Sequence, residues 1–122
     1  MSPRDIALRQ ALGRAALGAG LTFAPALAAR AWIGSDAARP AARVLTTAMG
    51  ARDLAIAMGT IRALRTGGDP APWLAAGAFA DAADLAATVR ARHSLPASGA
   101  LGVAALAAGS AAVGAWLARE LR

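Results

Sequence analysis

Five charged residues sit inside apolar stretches, and any chemistry this chain performs should be sought there. Arg52 and Asp53 adjoin in the run 44–64, Asp81 and Asp84 lie in the run 73–89, and Arg14 lies in the run 6–24. A charge among apolar neighbours is costly unless it is paired and hydrogen-bonded. Asp81 and Asp84 are three apart, so a helix places them on one face. Two carboxyls so placed could work as an acid and base pair. Arginine is the apt partner, because its planar fork grips a carboxylate with two hydrogen bonds and stays charged. The set holds two guanidiniums and three carboxylates, a net charge of −1. Either one carboxylate carries a proton, or a cation or an outside donor completes the set.

Other chemistries find little support. The chain has no cysteine, which removes disulfides, thiolates and cysteine-based zinc sites. The lone His93 stands beside Arg92 and shortly before Pro96, and reads as a solvated loop residue. No metal and no cofactor is expected. Gly67-Gly68 is a turn signal, since no lysine and hydroxyl follow in phosphate-loop register. All 13 basic residues are arginine and the net charge is +6, yet they recur at the ends of apolar runs. A nucleic-acid surface would gather them on one face, so nucleic acid is not an expected partner.

The elements that must position the five charges follow from composition. Of 122 residues 39 are alanine, against 4 valine and 4 isoleucine, and mean hydropathy is +0.47. Alanine favours helix and the β-branched residues that favour strands are scarce. The chain reads as a single all-α domain over residues 1–122. Proline and glycine divide it into four helices, about 6–24, 40–64, 72–92 and 97–120, with a short interfacial helix at 26–33 between the first two. A basic start and an apolar first run also suit a secretory signal, but Arg14 in the middle of that run opposes it. Residues 97–118 form a run of 22 without a charge, long enough at about 1.5 Å per residue to span a hydrocarbon core. The glycines of this fourth helix, Gly102, Gly109 and Gly114, suit close packing on a neighbour.

Four antiparallel helices would bring the charges to one level. Arg14 is 8 residues in from Ile6, Asp53 and Arg52 are 11 and 12 in from Leu64, and Asp81 and Asp84 are 8 and 11 in from Trp73. Those counts correspond to depths of roughly 12–18 Å. Gly77, Asp81, Asp84 and Thr88 share one stripe, and Gln10, Arg14, Gly18 and Thr22 share another. The expectation is a buried network of Arg14 and Arg52 with Asp53, Asp81 and Asp84 at mid-bilayer. Trp73 and Trp116 would mark one membrane interface and Trp32 the other.

The segments Arg14-Ala-Ala-Leu-Gly18, Gly50-Ala-Arg52-Asp53-Leu54 and Ala80-Asp81-Ala-Ala-Asp84 resemble, as a pattern, small four-helix integral membrane proteins of high-GC bacteria that are loosely DoxX-like. The resemblance implies a four-helix antiparallel transmembrane bundle and no established activity. The sequence thus predicts a multi-pass protein of the inner membrane with cytoplasmic termini. Its partners would be the lipid bilayer and either further copies of itself or a larger membrane protein. Its charge layer would serve structure in an accessory or self-associating subunit. Two alternatives stand beside this: an enzyme or a handler of protons or small polar ligands that uses the aspartates, and a soluble helical bundle that binds a partner.

Overall fold

A computed structural model describes residues 1–122. Five α-helices form: α1 (Pro3–Phe23), α2 (Pro25–Ile33), α3 (Pro40–Thr66), α4 (Ala71–Ala91) and α5 (Ala97–Glu120). Short 3-10 turns at Gly34–Ala38 and Arg92–Ser94 join α2 to α3 and α4 to α5. The local sequence explains the boundaries. Ser2 caps α1: its Oγ accepts from the Asp5 N–H at 3.2 Å, and the Asp5 carboxylate accepts from the Ser2 N–H at 2.9 Å. That reciprocal pair satisfies two amides that a helix start otherwise leaves open. Prolines occupy the first turns of α1, α2, α3 and α4, where a missing N–H costs nothing. Gly67 ends α3 with φ +72°, the left-handed conformation that glycine adopts without strain. Asp69 then accepts from the Ala71 N–H at 2.8 Å and opens α4.

Side-chain contacts give the directions of the helices. Arg4 donates to the Leu64 carbonyl, Arg14 meets Asp53, and Gly18 and Thr22 meet Gly50, so α1 and α3 run antiparallel. Gly114 lies nearest Ala78, and Leu117 and Ala118 pack with Leu74, which makes α4 and α5 a second antiparallel pair. Ala7 packs with Leu74, Leu117 and Ala118, closing one end of the bundle with apolar side chains. Toward the other end α1 and α5 diverge, and α2 lies across the gap. There Gly99 of α5 approaches the Ala31 carbonyl of α2 so closely that a Cβ would collide.

Several expectations are corrected here. The four-helix transmembrane bundle becomes a bundle of five helices. The segment from Pro25 to Ala38 does not graze an interface; it turns away from α1 by 108° and packs as part of the bundle. Only α5 is long and apolar enough by itself to cross a membrane. α1 passes the same test only when joined to the bent segment, and α3 and α4 do not pass. The charges that interrupt α3 and α4 are part of the reason. A multi-pass inner-membrane protein, the lipid bilayer as its partner and cytoplasmic termini therefore all fall, and so does the DoxX-like resemblance. The same applies to an accessory membrane subunit carrying a charge layer at mid-bilayer. The layer lies instead within the core of a helical bundle. The tryptophans do not mark two interfaces either. Trp73 covers Gly59 of α3, and the Trp32 indole N–H donates to the Thr88 hydroxyl at 3.2 Å.

Candidate functional site

Three helices bring the five charged side chains together. Arg14 reaches from α1 between α3 and α4. Its Nη1 donates to Asp53 Oδ1 at 3.1 Å, and its Nη2 donates to Asp81 Oδ2 at 2.5 Å and, weakly, to the Gly77 carbonyl at 3.4 Å. Arg52 spans the other side. It grips Asp84 with both arms, Nη1 to Oδ1 at 3.1 Å and Nη2 to Oδ2 at 2.8 Å. Its Nε and Nη2 also donate to Asp53 Oδ1, at 3.2 and 3.1 Å. Asp53 Oδ1 thus takes three donors and joins the two arginines. The order along the network is Asp81, Arg14, Asp53, Arg52, Asp84. Asp53 and Asp81 are each only 8% exposed. The Arg52 guanidinium is held well above its ordinary range, chiefly by the hydrogen bond to Asp84; burial opposes this, and the charges of Asp53 and Asp84 add to it.

Two carboxylate oxygens stand outside this pairing. Asp53 Oδ2 and Asp81 Oδ1 receive no hydrogen bond from the protein. No buried side-chain nitrogen or oxygen in the molecule lacks a partner, so these two oxygens must touch accessible space. Both residues line a cleft of about 730 Å³ between α1 and α5, as do Arg14 and Asp84. Leu17, Leu21, Met49, Val103, Leu106 and Val113 supply much of its apolar wall. Trp32 stands in the wall as well, fixed by Thr88, whose own hydroxyl donates to the Asp84 carbonyl at 2.8 Å. Gln10 crosses from α1 to α5 and donates to the Ser110 carbonyl at 2.9 Å and to its hydroxyl at 3.1 Å.

The five residues expected from the sequence therefore meet in one network. The cleft beside them was not foreseen, nor were Gln10, Ser110 and Trp32 as members of its wall. Gly102 and Gly109 also differ from expectation: a Cβ at either would meet nothing within 4 Å, so they leave room where close packing was expected. Of the three glycines named in this helix only Gly114 is in contact, 3.3 Å from the Ala78 Cβ. No grouping of three His, Asp or Glu side chains could hold a metal ion. The chemistry on offer is ion pairing and hydrogen bonding at the edge of an apolar cleft. No family model, no curated protein and no solved structure matches this chain.

Proposed function

We propose that the protein binds a small, mostly apolar molecule with a polar head, taking the body into the cleft between α1 and α5 and the head onto the Asp53 and Asp81 carboxylates. The observation that carries this reading is the cleft itself. At about 730 Å³ it falls in the range of roughly 300–1,000 Å³ typical of small-molecule sites, with an apolar lining and a few convergent polar groups. Buried polar groups with spare hydrogen-bonding capacity give such a site its orientation.

The reading is tested with N-phenyl-1-naphthylamine, a dye that brightens in apolar surroundings. It is expected to bind with saturable one-to-one stoichiometry. A Gly13→Leu, Gly109→Leu variant should abolish that binding. Both glycines line the cleft, and a Cβ at either meets nothing within 4 Å, so the leucines are expected to narrow the cleft. Equal dye binding by the filled variant, with the fold intact by circular dichroism, would overturn the reading.

A further inference from the structure

We infer that the head of the bound molecule is a cation, so that the ligand class is an amphipathic amine. This rests on the cleft being a binding site. Three observations carry it, and each concerns a different property.

The first is charge. The network contains Arg14 and Arg52 against Asp53, Asp81 and Asp84, one negative charge in excess. No other ionisable side chain lines the cleft, so nothing else in the cleft balances it. The second is hydrogen-bond supply. Nη1 and Nη2 of both arginines already serve carboxylates, whereas Asp53 Oδ2 and Asp81 Oδ1 only accept and have no donor. Of the cleft's guanidinium nitrogens only Arg14 Nε has no partner, so a head that donates meets two open carboxylate oxygens, whereas one that only accepts meets a single N–H beside them. An ammonium has up to three N–H donors and a positive charge, and hydrogen bonds between charged groups are roughly twice as strong as neutral ones. An alcohol has one donor and no charge. A carboxylate has neither, and would meet bare oxygens of its own sign.

The third is shape. A bare metal cation would use the carboxylates and leave the apolar length of the cleft unfilled. Burying an alkyl body contributes about 0.8 kcal/mol per methylene, so a molecule with both parts uses the whole cleft. Gln10 Nε2 is spent on Ser110 across it, and Gln10 Oε1 is an uncharged acceptor, which leaves the aspartates as the charged acceptors that set the head.

The experiment is displacement of bound N-phenyl-1-naphthylamine at pH 7 by decylamine, decanol and decanoate, which share one chain length. Decylamine is expected to displace the dye at about tenfold lower concentration than decanol, a difference of about 1.4 kcal/mol, and decanoate should be the weakest. Asp81→Asn removes the excess charge and one free carboxylate oxygen while leaving Arg14 on Asp53. In that variant the preference for amine over alcohol should shrink toward unity. Equal displacement by amine and alcohol in the wild type would overturn the cation inference and leave the cleft reading standing. Failure of the dye itself to bind would overturn both. If Asp81→Asn folds and keeps the full amine preference, the aspartates are not the head site and the inference fails. If the variant does not fold, the wild-type series alone decides.

Discussion

Arg14 and Arg52 have similar partners and should respond differently to removal. The Arg14 side chain is 9% exposed, whereas that of Arg52 is 32% exposed. Deleting one partner of a buried ion pair leaves an uncompensated charge and costs about 3–5 kcal/mol. Arg14→Met strands Asp81 completely, so it is expected to fall in that range by urea denaturation. Arg52→Met leaves Asp53 still held by Arg14 and exposes Asp84 to solvent, and is expected to cost about 1 kcal/mol, near the value for exposed pairs. Equal losses would show that accessibility does not govern this network. A separate residue effect concerns acid. The Asp5 carboxyl lies below its usual value of 3.8, chiefly through the Ser2 side-chain hydrogen bond and then the Ser2 backbone one. Its contribution is therefore complete above that usual value and is lost as pH falls through the lower folded-state value. Amide exchange in the first turn of α1 is expected to accelerate only below pH 3.8. Ser2→Ala should move the onset upward, toward that value.

At the scale of elements, glycines sort the helix contacts into tight and open ones. Gly18 and Gly50 let α1 and α3 touch backbone to backbone: a Cβ on Gly50 would stand 2.7 Å from the Gly18 carbonyl oxygen and 2.6 Å from the Thr22 nitrogen. Gly50→Ala is expected to destabilise by about 1–3 kcal/mol, the usual cost of overpacking. Gly109→Ala meets no neighbour and should stabilise by about 0.5–1 kcal/mol, because alanine is the better helix former. Thermal unfolding of the two variants gives opposite shifts if this holds. The same comparison shows what the sequence could reveal. Counting along helices brought Arg14, Arg52, Asp53, Asp81 and Asp84 to one level, because the helical rise is fixed and mid-helix charge is rare. The bend at Ala24-Pro25 was legible as a break, but not as a turn of 108°. Angles depend on tertiary packing, here Gly99 against Ala31. The cleft was illegible for a related reason. Gly109 between alanines reads equally as a contact or as a void, and only the divergence of α1 from α5 decides.

For the whole molecule, the arrangement is two antiparallel helix pairs, joined through the charge network, closed at one end by Leu74 and Leu117, and bridged at the other by α2. Phe23, Phe79 and Leu101 stand largely exposed outside, so an apolar dye has surface to adhere to, and the filled variant separates that adhesion from uptake by the cleft. Trp32 offers an internal reporter, since it lines the cleft while Trp73 and Trp116 do not. Ligand uptake is expected to change tryptophan emission in the wild type and not in Trp32→Phe. A change that survives in Trp32→Phe would place the ligand elsewhere.

Gly13 and Gly109 can accept new side chains, while the residues that carry charge are locked to one another across three helices. Mutational drift would therefore act unevenly on this molecule. Descendants could resize what they accept by single substitutions at the open glycines, each neutral or favourable to folding. To change the sign of the accepted charge they would have to remove at least two of the interlocked carboxylates, each step breaking an ion pair of the network. Selectivity for size should diverge early and selectivity for charge late, which deep mutational scanning with amine and alcohol probes would reveal as two distinct sets of permissive positions.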